Sequence, residues 1–183
     1  IARSWFERDN VYAVLDLTTS AVALAVKEVA QSKNRAMLIA SASSPEMTGK
    51  DCSPITVHWG FDSYANSVTA AKATVAAGMS TWFFITGDNA GSRAQEEQAA
   101  SFVKKAGGKV LGSVRHPLGT ADFSSYLLQA QASGAKVVAL ANAGADTTSA
   151  IKQANEFGLT ERGQSVLPML AFITDVNAMG LKT

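Results

Sequence analysis

Hydroxyls, an amide and carboxylates gather in short stretches that each follow an apolar run. They are Thr18-Thr19-Ser20, Ser41-Ala42-Ser43-Ser44-Pro45-Glu46, Gly87-Asp88-Asn89-Ala90-Gly91-Ser92, Asn142-Ala143-Gly144-Ala145-Asp146 and Thr174-Asp175. Small residues let a ligand approach the backbone, and hydroxyls and free N–H groups donate to an anion. A helix N-terminus adds about 0.3–1 kcal/mol for a carboxylate placed there. A carboxylate such as Asp175 suits an ammonium group. The same residue types cap helices, so each turn alone reads first as a cap. In open α/β sheets, however, ligands bind beyond the carboxyl ends of the strands, and all these turns fall at such ends.

Signatures of bond-making chemistry are missing from the chain. No G-x-G-x-x-G follows a strand, no G-x-x-x-x-G-K-[ST] occurs, and no G-x-S-x-G nucleophile elbow is present. The histidines, His58 and His116, have no neighbour at metal-ligand spacing and read as structural. Cys52, the one cysteine, has no base suggested by the sequence and no internal disulfide partner. No cofactor is expected. An enzymatic reading is left with Asp88, Asp146 or Asp175 as an acid or base.

The elements that position these turns are legible as alternating runs. Residues 11–17, 36–40, 81–86, 109–115, 136–141 and 166–173 are apolar, β-branched or aromatic nearly throughout, as strands buried on both faces of a parallel sheet are. Helical patterns cover residues 2–9, 21–33, 64–77, 94–106, 123–132 and 147–157, with another near the end. Gly107-Gly108 suits a helix C-terminus, and Asp122 and Asp146 suit N-caps. The order predicts an α/β fold with right-handed crossovers. Residues 48–60 hold Gly49, Pro54 and Gly60 with no helical pattern and read as a link between two lobes. Trp59, Trp82, Phe83 and Phe84 read as core or joint residues, with Trp59 or Tyr64 also suited to a cleft edge.

The totals agree. The chain has 183 residues, 47% of them hydrophobic, which is enough for a real core. Sixteen basic and 15 acidic residues give a net charge of +1, without the basic excess of a nucleic-acid binder. No apolar run reaches the ~18 residues of a membrane span. The chain opens Ile1-Ala2-Arg3 inside a helical pattern, and it reads as a piece of a longer protein.

The sequence resembles the type I periplasmic binding proteins of ABC importers, in the branched-chain amino-acid (Leu/Ile/Val) binding family. The resemblance is carried by residues 18–26, by Ser43-Ser44-Pro45-Glu46-Met47-Thr48-Gly49 and on to Pro54, and by Trp82-Phe83-Phe84-Ile85-Thr86. It continues through residues 106–112, Gly119-Thr120-Ala121-Asp122-Phe123-Ser124 and residues 141–146, and so covers essentially the whole chain. The S-P-E-M-T-G and G-T-x-D-F-S motifs are the most specific.

The resemblance implies a fold of two α/β lobes joined by three crossovers, with the ligand closed between them. Residues 1–58 would then be an incomplete first lobe and residues 59–183 a near-complete second one. It implies a carboxylate-holding turn at Thr19 and Ser20 and a second at Ser41, Ala42 and Ser43. A contact turn would lie at Asn142, Ala143 and Gly144, and Asp175 would pair with a ligand amino group. Many members carry an aromatic residue where this chain has Ala90, so the alanine opens space for a bulkier ligand. The implied role is a non-enzymatic, periplasmic solute-binding protein. Its partners would be a small carboxylate, either an amino acid or an aromatic acid, and the membrane subunits of an ABC permease. A sensor domain of a receptor or regulator is the alternative on the same fold.

Overall fold

The computed structural model describes residues 1–180; residues 181–183 and the side chain of Ala90 lie outside that description. The chain divides into two compact units, Ile1–Ala65 and Asn66–Thr183, and the fold is α/β, with parallel sheets flanked by helices.

In the first unit, α1 (Ala2–Glu7) leads to β1 (Ala13–Leu15), α2 (Ser20–Ser32) and β2 (Ala36–Ile39). A single 3-10 turn (Pro45–Met47) and β3 (Thr56–His58) follow. The sheet order is β1-β2-β3, all parallel. Helix α2 buries Ala23, Lys27 and Ala30, spaced four and three residues apart so that they form one stripe. That stripe shares a core with Phe6, Val14, Met37, Ile39, Ala42 and Met47. Lys27 reaches this buried position because its ammonium donates to the Asp51 carbonyl at 3.0 Å and pairs with Glu28 at 3.1 Å. The burial of β2 alternates, with Met37 and Ile39 inside and Leu38 outside, as the two-residue pleat requires.

One expectation changes in this unit, and one short strand is added to it. Strand β1 ends at Leu15 because Asp16 and Leu17 adopt positive φ, 73° and 63°, which takes them out of strand geometry. The segment read as a link contains β3, whose three residues are too few to form a visible apolar run.

In the second unit, α3 (Ser63–Ala76) starts at the unit boundary. It is followed by β4 (Thr81–Gly87), α4 (Ala90–Lys105), β5 (Lys109–His116) and α5 (Ser124–Ala132). Then come β6 (Val137–Ala141), α6 (Ala145–Glu156), β7 (Ser165–Pro168) and α7 (Ile173–Met179). The sheet is parallel in the order β5-β4-β6-β7. Central strands β4 and β6 are buried almost throughout. Phe83, Ile85, Val138 and Leu140 pack on one face with Phe123, Leu127, Ala150 and Leu159. Trp82, Phe84, Val137 and Ala139 pack on the other with Ala71, Ala99, Val103 and Met169. Alternate residues thus enter different cores, which is why the sequence is apolar at every position there.

The expected strand over 166–173 stops at Pro168, and Ile173 instead opens α7. Pro168 is tolerated there because its position faces away from β6: the N–H groups of Ser165 and Met169, on either side of it, are the ones that donate to the Lys136 and Leu140 carbonyls, and Met169 is apolar because it fills the core. Trp59, expected in a core, at a joint or at a cleft edge, is 83% exposed and so lies in no core of the described residues. Asp146 lies inside the first turn of α6 rather than capping it; Gly144 holds the cap position, and the Asp146 carboxylate instead accepts the N–H of Gly119 at 3.2 Å.

Candidate functional site

In the first unit the chain leaves β1 through two consecutive left-handed, non-glycine residues, Asp16 and Leu17. Each costs roughly 1 kcal/mol against a right-handed conformation. They turn the backbone sharply into α2. Thr19 holds the N-cap position in an extended conformation (φ −100°, ψ 121°), but its side chain makes no capping hydrogen bond. Thr18 and Thr19 are exposed. The first turn of α2 contains no acidic residue, so no carboxylate of its own occupies the positive end of the helix dipole.

Ser20, the first residue of α2, is tied differently. Its hydroxyl oxygen accepts the backbone N–H of Ser44 at 3.1 Å. That bond joins the turn after β1 to the turn after β2. In the second turn Ala42 is fully buried and Ser41 and Ser43 are half-buried. The carbonyl of Ala42 accepts from His58 Nε2 at 2.7 Å, so this nitrogen carries the proton. The carbonyl of Ser43 accepts from the N–H of Ser63 at 2.9 Å. Ser44 caps the 3-10 turn, accepting from the Glu46 N–H at 3.3 Å. Gly60 passes so close that an added Cβ would lie 2.0 Å from the Ala40 carbonyl oxygen. The turn is therefore fixed through its backbone, and the Ser20–Ser44 bond sets the Thr19-Ser20 turn beside the Ser41-Ala42-Ser43 turn, with Ala42 facing the core.

In the second unit Asn142 follows β6 and is buried. Its carboxamide oxygen accepts from the Thr147 hydroxyl at 2.7 Å, and its nitrogen meets His116 Nε2 at 3.1 Å. His116 Nδ1 lies 2.8 Å from the Pro117 carbonyl. A carbonyl can only accept, so Nδ1 carries the proton and Nε2 accepts from Asn142. His116 is fully buried, against the Phe123 and Tyr126 rings. Ala143 and Gly144 are exposed, and Gly144 has φ 61° with ψ −132°, a conformation that favours glycine.

Further down α6, Gln153 accepts from the Phe123 N–H at 2.7 Å and donates to the Ala121 carbonyl at 2.8 Å. Together with Asp146, it pins the loop between β5 and α5. Asn89 caps α4 through the Ser92 N–H at 3.0 Å, and Ala90 is the first residue of that helix. The half-buried Asp175 accepts the N–H of Phe172 at 2.8 Å and so closes the first turn of α7, which packs on α6.

The expected residues thus form one group in the first unit. In the second, Asn142–Gly144 form a turn and Asp175 stands at the start of another helix. Sequence reading missed the parts played by Ser44 and Thr147. Thr147 sits five residues after Asn142, on the first turn of the helix that Asn142 precedes, and this was the only signal available. Among the described residues no group of three or more His, Cys, Asp or Glu side chains could hold a metal ion. No described helix is long and apolar enough to cross a membrane.

Residues 1–183 match the family described as "Periplasmic binding protein". A periplasmic binding protein from Burkholderia mallei is 45% identical with a TM-score of 0.89, the match covering 99% of this chain and 48% of that one. A branched chain amino acid ABC transporter periplasmic ligand-binding protein from Burkholderia xenovorans LB400 is 36% identical with a TM-score of 0.87, over 99% and 48% of the two chains. An ABC-transporter solute binding protein from Rhodopseudomonas palustris HaA2, in complex with p-hydroxybenzoic acid, is 26% identical with a TM-score of 0.86, over 98% and 49%. The chain spans about half the length of these structures. No curated protein sequence matches it. The whole-chain match and the parallel α/β architecture lead to one conclusion: the chain belongs to the periplasmic binding protein family.

Proposed function

We propose that the whole protein is a periplasmic solute-binding protein of an ABC importer. It holds a small carboxylate-bearing ligand and delivers it to the permease, making and breaking no bond. Residues 1–58 are part of its first lobe and residues 59–183 the second. The ligand is an amino acid or an aromatic acid, the two classes carried in the descriptions of the B. xenovorans and R. palustris relatives.

The observation that carries this reading is the paired turn of the first unit. The Ser44 N–H on Ser20 Oγ locks the turns together. A hydroxyl oxygen that accepts in this way keeps its own proton to donate. Thr19, exposed and not capping its helix, offers another donor at the positive end of α2. Ser41 and Ser43 supply further hydroxyls, while the buried methyl of Ala42 anchors their turn. In the second unit the backbone at Asn142, Ala143 and Gly144 contacts the ligand. Asp175 pairs with an amino group where there is one.

Titration calorimetry on the full-length protein with L-leucine, L-valine, L-phenylalanine and 4-hydroxybenzoate tests the reading. Thr19→Ala and Ser43→Ala should each weaken binding of the active compound by ~1–3 kcal/mol, the loss expected for one buried hydrogen bond to a charged group. Unchanged affinity in both variants would remove the carboxylate from these turns.

A further inference from the structure

We infer that His116 and Thr147 are positioning residues for the Asn142-Ala143-Gly144 turn, acting through the side chain of Asn142. The inference rests on the reading of that turn as a ligand contact, and it adds what holds the turn in place.

Three buried polar side chains from different elements satisfy one another. His116 is the last residue of β5, Asn142 directly follows β6, and Thr147 lies in the first turn of α6. All are at most 3% exposed. The Pro117 carbonyl fixes the proton of His116 on Nδ1. Nε2 must then accept, which fixes the Asn142 nitrogen toward it and leaves the Asn142 oxygen for the Thr147 hydroxyl. With the proton on Nδ1, this orientation of Asn142 satisfies both neighbours, whereas the flipped amide would set its oxygen against the Nε2 lone pair. The side chain of Asn142 therefore serves the interior. What the turn offers outward is the exposed backbone of Ala143 and Gly144.

Gly144 makes this support necessary. Its φ of 61° with ψ −132° is open mainly to glycine, and the gain in conformational freedom makes such a turn costly to order. Neither Ala143 nor Gly144 has a polar side chain to hold it. The end of β6 and the first turn of α6 are instead clamped on either side of the turn, and His116 couples that clamp to the neighbouring loop. A turn held before the ligand arrives does not have to be ordered at binding.

The test uses the full-length protein with two readouts. One is calorimetric titration with L-leucine and 4-hydroxybenzoate as probes; the other is amide hydrogen exchange at Ala143 and Gly144. Thr147→Val removes the donor to Asn142, while Thr147→Ser keeps it. His116→Asn preserves reach to the Pro117 carbonyl but not to Asn142, and His116→Gln places an acceptor near Asn142. T147V and H116N should weaken binding of whichever probe binds by roughly tenfold or more, the fold-change that follows from one lost buried hydrogen bond. They should also speed exchange at Ala143 and Gly144. T147S and H116Q should stay within about threefold of the unsubstituted protein, less than one such bond is worth.

Equal losses in H116Q and H116N, or T147V behaving as the unsubstituted protein, would overturn the inference and leave the triad a packing feature. If the unsubstituted protein binds neither probe, the calorimetric readout drops out and says nothing about the positioning of the turn. Exchange then decides alone: faster exchange in T147V and H116N supports positioning, and unchanged exchange overturns it.

Discussion

Ser20 Oγ accepts the backbone N–H of Ser44 across 24 residues of sequence, at 3.1 Å. One hydroxyl at the start of α2 thereby fixes the distance between two turns whose own strands, β1 and β2, are already in register from Ala13–Ala36 to Leu15–Leu38. The strands set the turns side by side, and the serine sets their final approach. Ser20→Ala should leave the Ser44 N–H without its partner at a partly buried site and cost about 1–3 kcal/mol of stability. Ligand affinity should fall with it. Chemical denaturation and calorimetry of the same variant check both, and a loss of affinity without a loss of stability would make Ser20 a ligand contact only.

Gly60 should tolerate no side chain. A Cβ there would lie 2.0 Å from the Ala40 carbonyl oxygen, which is backbone and has no rotamer to move. Relieving that clash shifts residues 59–63, which are tied to the end of β2 and the turn after it through Trp59 N–H to the Ile39 carbonyl and Ser63 N–H to the Ser43 carbonyl. Gly60→Ala should destabilise the protein by about 1–3 kcal/mol or more, as overpacking does. Thermal melting of the full-length variant reads this directly, and an unchanged melting point would show that the 59–63 segment can move away freely.

Much of the fold was readable because the physics was local and repeated. Thr81 to Thr86 reads as a buried strand because Trp82 and Phe84 enter one core while Phe83 and Ile85 enter the other. The stripe Ala23, Lys27, Ala30 in α2 has helical spacing whatever surrounds it. Strand β3 was not readable, because Thr56, Val57 and His58 owe their strand geometry to the backbone of β2 rather than to their own pattern. Nor does anything in Asp16-Leu17 announce positive φ, which the turn between β1 and α2 imposes. At the site, residue types at the strand ends could be read, but partnerships could not. Ser20 with Ser44 and Asn142 with Thr147 and His116 are consequences of folding, and so is the Asp146 carboxylate's bond to Gly119, which its cap-like position in the sequence does not announce.

Acid should act through Asp122. Hydrogen bonds from the Ser124 hydroxyl and then the Ser124 N–H hold its carboxyl below the ordinary aspartate value. The folded pKa is depressed, so the stabilisation is present above the unfolded pKa and is lost as the pH falls through the folded value. The melting-point difference between the unsubstituted protein and Asp122→Asn should therefore shrink as the pH drops below the ordinary aspartate range. A difference that stays constant down to strongly acidic pH would mean the two bonds do not favour the charged form.

Asp175 separates the two ligand classes. Its carboxylate already accepts the N–H of Phe172 at 2.8 Å, which orients it at the start of α7. An α-amino acid adds an ammonium for that carboxylate to meet, and an aromatic acid without an amino group does not. Asp175→Asn keeps an oxygen for the Phe172 N–H and removes only the charge. If the ligand is an amino acid, the variant should lose roughly tenfold or more in affinity, the loss expected when a charge-assisted pair becomes a neutral one. If the ligand is an aromatic acid such as 4-hydroxybenzoate, affinity should hold or rise, because a negative charge near the site is gone. Parallel titrations of L-leucine and 4-hydroxybenzoate into both proteins read the difference. A variant that binds L-leucine as well as the unsubstituted protein would take Asp175 out of the site.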